Sequence, residues 1–279
     1  MHVHVPNPWA VLLVLVFPPR GAIVVGAHAA STRYGVLQTP HDWLIRTLYR
    51  RSAAIMVSAR SNIRHLGLDG HPGEIRVVPY GIDENRTAGD AERAADSRTV
   101  LFVGRLVYYK GLETLIDAAA DIKADVVVLG DGPLHDDLVQ RCHAAGVADC
   151  VRFVRDADDE ELRRHLAACS VFVLPSTTTS EFFGLAMLEA LGSGVPAVVS
   201  ALGTGLDEVV SDNDAGVVVP PGDPAALAAA ITALLDNREE RDRLGRNGRN
   251  AFAHRYTAAR MTDDVVALYR EIGERERVR

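Results

Sequence analysis

Short strand-like runs recur along the chain, separated by turns and by segments whose apolar positions repeat every three or four residues. The first series has strands predicted at 2–5, 22–27, 54–58 and 74–79, with helices at 8–17 and 42–51. A polar, non-periodic stretch at 84–98 reads as a linker. The alternation then resumes, with strands predicted at 99–103, 125–129, 150–154, 171–174, 196–200 and 216–219. Helices fall between them, and Leu112, Leu115, Ile116 and Ala119 show the stripe of the first. Such alternation predicts an α/β architecture, with parallel sheets covered on both faces. From 223 onward the pattern is helical.

The segment 171–200 carries the most chemistry. Val171 to Leu174 and Pro196 to Ser200 enclose a helix predicted at 182–191, a βαβ unit. That helix is apolar on every side except at Glu189, so it should be buried, and a lone buried carboxylate requires a hydrogen-bonding partner. No basic residue lies within a turn of it. Glu181 stands eight positions earlier, about 12 Å along a helix axis. That is wider than the roughly 5–9.5 Å of a glycosidase carboxyl pair, and it suits two contacts on one long ligand. Between them Phe183, Gly184 and Leu185 offer backbone N–H groups at a helix N-terminus, where anionic or hydroxyl-rich groups bind. Taken alone, Glu181 is a first-turn charge favouring the helix dipole. Glu189 resists that reading.

The loop from Gly104 through Arg105 and Lys110 to Gly111 follows the strand at 99–103, as Glu181 follows the strand at 171–174. Open α/β sheets bind ligands outside the carboxyl ends of their strands, so Arg105, Lys110 and Glu181 are expected on one rim. Two cations on one loop suit a diphosphate, the arginine as a bidentate donor and the lysine as a mobile point charge. Singly, each is equally well a solvated loop cation.

Glu181 and Glu189, with Phe-Gly-Leu after the first and Glu-Ala-Leu at the second, resemble the signature of the family 4 retaining glycosyltransferases of the GT-B fold. His-Val-His-Val-Pro-Asn-Pro-Trp at 2–9, the strand closing on His28, and Val-Pro-Tyr-Gly-Ile-Asp at 78–83 resemble the same family. The resemblance implies that Glu181 touches the donor sugar and that the backbone of Phe183, Gly184 and Leu185 touches sugar or phosphate. It implies that Glu189 holds the ribose hydroxyls, that Arg105 and Lys110, with Gly104 beside them, grip the diphosphate, and that His28 reaches the sugar. For the fold it implies two Rossmann-like, doubly wound domains, 1–90 on the acceptor side and 91–255 on the donor side. A final helix, 256–279, would return to the first domain through Met261, Val265, Leu268 and Ile272. The resemblance spans nearly the whole chain but only the later part of a typical member. The first domain is therefore expected to be incomplete, with 2–5 as an exposed sheet edge.

The implied activity is transfer of a sugar from a nucleotide-diphosphate sugar to a glycan, a lipid-linked or a small-molecule acceptor, with retention. The alternative is a non-catalytic sugar-nucleotide-binding module, or an inactive fragment of such an enzyme. No metal and no cofactor are expected: Asp156-Ala-Asp158 and Asp212-Asn-Asp214 imitate a metal-binding pair, but each suits capping or a turn. Gly130-Asp131-Gly132-Pro133 and Gly203-Thr204-Gly205 resemble phosphate- or sugar-facing turns, and 151–156, including Arg155, is expected near the base. A nicotinamide dehydrogenase would need Gly-x-Gly-x-x-Gly after a first strand, which is missing.

Charge narrows the partners. The net charge of −7 argues against nucleic acid as a general partner. Residues 1–87 nevertheless carry nine arginines against five carboxylates, suiting a peripheral membrane surface or lipid-linked acceptor. Three cysteines without metal-ligand spacing read as reduced thiols, so the expected location is cytoplasmic, peripheral at the inner face of the membrane where the acceptor is lipid-linked. The apolar run at 9–17 is bracketed by prolines and too short to cross a bilayer, and is read as a buried helix.

Overall fold

A computed structural model describes residues 1–29, 38–88 and 97–278. The middle of the predicted linker, residues 89–96, and with it the boundary expected at 90, lies outside the described residues. The chain divides into two compact units, Met1–Tyr80 with Ala259–Arg279, and Gly81–Ala258.

The first unit runs β1 (His2–Val5), α1 (Pro8–Val16), β2 (Val24–Ala27), α2 (Gln38–Arg51), β3 (Ala54–Val57), α3 (Asn62–His65) and β4 (Glu74–Val77). The strands pair in parallel in the order β1-β2-β3-β4, with β1 at one edge. Alternation of side chains across a strand sorts the residues between two faces. Val3, Val5, Val25, Ile55 and Val57 pack with Val11 and Val14 of α1 and Leu48 of α2. Val24, Ala54 and Met56 face the other way. There the last helix of the chain covers them with Leu268 and Ile272, flanked by Met261 and Val265. Charge fastens the same helix to β4. Arg76 Nη2 donates to Glu271 Oε2 at 2.6 Å and to Glu74 Oε1 at 2.7 Å, and Arg275 Nη1 donates to Glu74 Oε2 at 2.5 Å.

Helix α1 departs from expectation. Val11 and Val14 are buried, but Trp9, Leu12, Leu13, Val16 and Phe17 are exposed, Trp9 at 75%. A helix that is apolar all round can bury only the side that meets the sheet and α2, and its opposite stripe faces solvent.

In the second unit the order is β5 (Thr99–Val103), α4 (Leu112–Ala119), β6 (Asp125–Leu129), α5 (His135–Ala145), β7 (Val151–Val154), α6 (Asp159–Ala168), β8 (Val171–Leu174), α7 (Leu185–Gly192), β9 (Ala197–Ser200), α8 (Gly205–Asp212) and β10 (Gly216–Val219). Helices α9 (Pro224–Asp236) and α10 (Arg238–Arg255) follow, and α11 (Ala258–Val278) is the helix that covers the first sheet. The six strands are parallel in the order β10-β9-β8-β5-β6-β7. The chain builds outward from β5 to β7, then returns to lay β8 on the other side of β5. The strand order therefore reverses between β5 and β8, where such sheets open a crevice. Phe102, Phe172, Leu101, Leu106, Ile116 and Leu174 fill the core.

Helix ends explain several polar motifs. Asp158 caps α6 by accepting from Glu161 N at 2.8 Å, and Thr204 caps α8 in a capping box with Asp207. Asp214 pairs with Arg243 and accepts from Asn247. All three cysteines are free thiols. Among the described residues no helix is long and apolar enough to cross a membrane.

Two glycines at similar backbone angles separate strain from contact. Gly111 has φ +69°, and a Cβ there would lie 1.9 Å from Pro175 O; Gly146 has φ +70° with nothing within 4 Å. Gly146→Ala should cost only the left-handed penalty of about 1–2 kcal/mol. Gly111→Ala should cost clearly more. Thermal unfolding checks the pair: equal melting temperatures would show that the β8 loop yields without cost.

Candidate functional site

The site grows from the carboxyl ends of β5 and β8, paired at Val100↔Val171 and Leu101↔Phe172. Gly104 follows β5, and Leu106, fully buried, pins the loop to the core. Tyr108–Lys110 form one turn of 3-10 helix, and Gly111 turns the chain into α4. Backbone bonds tie this loop to its neighbours: Leu106 N donates to Asp131 O at 2.9 Å, and Thr177 N donates to Tyr109 O at 2.8 Å. The β5, β6 and β8 loops therefore form one rim.

Lys110 and Glu181 meet on that rim. Lys110 Nζ lies 2.5 Å from Glu181 Oε2, their side chains only 12% and 9% exposed. Ser176 Oγ donates to the same carboxylate oxygen at 3.2 Å, and Thr204 Oγ1 donates to Glu181 O at 3.0 Å. Desolvating an ion pair offsets much of its attraction, so stability is a poor reason for this one. Arg105 shares the loop with Lys110 but is exposed, and no ion pair to its guanidinium is formed among the described residues. An exposed arginine and a held lysine on one rim can receive an anion.

The helix after β8 starts later than its apolar pattern predicts. It spans Leu185–Gly192, and Gly184 precedes it at φ +81° with space for a Cβ blocked by Leu206 at 2.7 Å. Glu181 thus precedes the helix by four residues, and the spacing of about 12 Å along a helix axis does not apply to it. The non-helical step at Glu181–Gly184 lets the chain turn. Phe182 and Phe183 are buried, Leu185 is half exposed, and the N–H groups of Gly184 and Leu185 donate to nothing among the described residues.

Glu189 is buried on α7, at 5% exposure, and its partner comes from a segment read from the sequence as part of the linker. Arg86 Nε donates to Glu189 Oε1 at 2.6 Å, and its Nη1 donates to Asp159 Oδ1 at 2.8 Å. Burial pushes the Glu189 carboxyl up from its ordinary value, and the Arg86 guanidinium opposes that shift. Periodicity could not find Arg86, which lies 103 positions from its partner. The usable signal was the demand of a buried carboxylate for a cation.

Of the two glycine turns, Gly130–Gly132 lies against the Gly104–Leu106 backbone, and Gly203–Gly205 leads into α8. Arg155 pairs with Asp131 at 2.9 Å.

His28 belongs to the first unit. It follows β2, with Nδ1 2.5 Å from Tyr80 Oη and Nε2 2.6 Å from His4 Nδ1. Burial first, then the neighbouring His4, hold His28 below the usual histidine range. A cavity of about 290 Å³ opens beside it, lined by His2, His4, Met56, Tyr80 and Met261 among others. Gly104, Arg105, Lys110, Glu181, Phe183, Gly184, Leu185 and Glu189 thus lie in the second unit, where Lys110 and Glu181 are in contact, and His28 lies in the first.

Comparison with known proteins fits this geometry. O-antigen chain mannosyltransferase C of Escherichia coli is 30% identical over 95% of this chain and 73% of its own length. Phosphatidyl-myo-inositol mannosyltransferase of Mycobacterium leprae is 28% identical over 98% of this chain and 73% of its length. D-inositol 3-phosphate glycosyltransferase of Geodermatophilus obscurus is 37% identical over 77% and 51%. In fold, sucrose-phosphate synthase from Thermosynechococcus elongatus superposes with a TM-score of 0.82 at 24% identity, covering 98% of this chain and 73% of that one. Anabaena HepE in complex with UDP gives 0.83 at 19%, covering 97% and 78%. The architecture is GT-B, with a first sheet of four strands. Residues 84–251, the stretch that holds the β5 loop and both glutamates, match the family Glycosyl transferases group 1, and the chain belongs to that family.

Proposed function

We propose that this chain binds a nucleoside-diphosphate sugar in its second unit and transfers the sugar, with retention, to a glycan or lipid-linked acceptor. The observation that carries the reading is the Lys110–Glu181 pair at the β5/β8 reversal, with Arg105 on the same loop. The diphosphate lies against Arg105 and Lys110, whose charge stabilises it as it departs. Gly104 admits its oxygens to the backbone, as do the N–H groups of Phe183, Gly184 and Leu185 at the start of α7. Glu181 receives a sugar hydroxyl while Lys110 keeps it charged and oriented. Glu189 receives the ribose hydroxyls. Catalysis is positioning and charge stabilisation, with no metal ion assigned. Mannosyl- and rhamnosyltransferases among the relatives favour a hexose or deoxyhexose donor.

The acceptor reading rests on the first unit. The exposed stripe of Trp9, Leu12, Leu13, Val16 and Phe17 on α1 stands beside α2, whose exposed residues include Trp43, Arg46 and Arg50. Apolar and aromatic residues with arginines beside them suit an anionic lipid surface, and location at the inner face of a membrane follows.

Lys110→Ala would strand a buried carboxylate and cost about 3–5 kcal/mol, so it confuses folding with catalysis. Arg105→Ala, at an exposed position, should lower turnover of a nucleotide sugar by about 100-fold or more with an unchanged melting temperature. Unchanged turnover would remove Arg105 from the leaving-group site. Nucleotide binding without turnover by the wild type would instead mark a sugar-nucleotide-binding module.

The membrane reading has its own readout. The chain's two tryptophans, Trp9 and Trp43, are both exposed. Phosphatidylglycerol vesicles should shift their emission to the blue, less so at high salt and less so in Arg46→Glu with Arg50→Glu. Emission indifferent to anionic vesicles would reject this surface.

A further inference from the structure

We propose that Arg86 is the positioning residue of the nucleotide site: it holds one oxygen of Glu189 and turns the other toward the ribose. The inference rests on the reading that Glu189 receives the ribose hydroxyls. Glu189 Oε1 accepts from Arg86 Nε at 2.6 Å, while Oε2 has no hydrogen bond among the described residues. One oxygen is thereby fixed and the other left as an acceptor.

Arg86 is itself held against rotation. Its second arm reaches Asp159 at 2.8 Å, so one planar guanidinium spans the carboxylates of α6 and α7. Asp159 is 62% exposed, and that contact orients more than it stabilises. The segment carrying Arg86 is also anchored. Asp83 accepts from Asn85 N at 2.9 Å, Arg163 Nη1 donates to Asn85 O at 2.9 Å, and Ala88 N donates to Ser193 Oγ at 2.8 Å. Ser193 lies just beyond the end of α7, and its hydroxyl donates to Glu189 O at 2.7 Å. The same short segment therefore meets both the side chain and, through Ser193, the backbone of Glu189.

The chemistry requires such a partner. Most neighbours of Glu189 on α7 are apolar and buried, and a carboxyl there without a cation takes up a proton. A carboxylate accepts hydroxyl hydrogen bonds more strongly than a neutral acid, whose remaining proton must itself find an acceptor. The charged groups around Glu189 are Arg86 and Asp159, with Arg163 on α6 and Arg249 on α10, which donates to Ser193 O at 3.0 Å. Among the described residues, Arg86 is the cation that contacts the carboxylate itself.

The test is calorimetric titration of the full chain with uridine diphosphate and guanosine diphosphate between pH 5 and 9, in wild type, Arg86→Met, Arg86→Lys, Arg163→Ala and Glu189→Ala. Ionised Glu189 is the binding form, so affinity falls as pH drops through its pKa. Loss of Arg86 removes what lowers that pKa and moves the fall to higher pH. Arg86→Met is expected to bind about tenfold more weakly at neutral pH and to recover toward alkaline pH. Arg86→Lys, which keeps the charge, should retain the wild-type profile. Arg163→Ala loosens the segment without touching Glu189 and should leave the profile in place. Arg86→Met with a wild-type profile, while Glu189→Ala abolishes binding, would overturn this inference alone. So would an Arg163→Ala profile matching that of Arg86→Met, since the role would then be structural. Binding that survives Glu189→Ala would overturn the ribose role, and this inference with it.

Discussion

Lys110 and Glu181 are held together almost out of water, and the second unit is arranged around where they meet. Neither residue is near the other in sequence. They converge because β5 and β8 are parallel neighbours and both loops leave from the same end of the sheet. Leu106 buried beneath one loop and Phe182 and Phe183 beneath the other keep the polar tips at the rim. A buried pair of opposite charges is a weak source of stability, because desolvation consumes much of the attraction. What it does provide is definition: each charge fixes the other's position. A group that must meet a sugar hydroxyl or a phosphate oxygen benefits from having little freedom to lose.

A second carboxylate shows the same economy with a different partner. Glu189 sits in an apolar helix, and its cation arrives from the short segment that enters the second unit. The two glutamates are thus each paired with one cation, Lys110 from the β5 loop and Arg86 from the entry segment. Arg105 differs from both by being exposed, and that difference suits a contact made with a ligand rather than with the protein.

Much of this was legible in the sequence, and the exceptions have physical causes. Apolar runs and helical stripes carried the positions of the strands along the chain, because a strand buried on two faces must be apolar throughout, but not the order in which they pair. Strand polarity alone placed Arg105, Lys110 and Glu181 on one rim. Phe182 and Phe183 continue the apolar pattern, which therefore predicts an earlier start for α7 than Gly184 at φ +81° allows. The apolar run of α1, bracketed by prolines and too short for a bilayer, reads as a buried helix, but such a run does not say how many of its faces find a neighbour. Arg86 was illegible for another reason: a single cation in a polar stretch has no period, and only the unmet demand of Glu189 pointed to it.

The first unit is discontinuous in sequence, and this has a consequence for the order in which it can be made. Its strands come from the first 80 residues, yet the face formed by Val24, Ala54 and Met56 is covered by residues of α11. During synthesis the entire second unit emerges before that cover exists. Domains fold as units while the chain is being made, so Gly81–Ala258 can close while the earlier sheet still shows one apolar face. The nascent chain therefore depends on α11, made only after the whole of Gly81–Ala258, to finish what its first strands began.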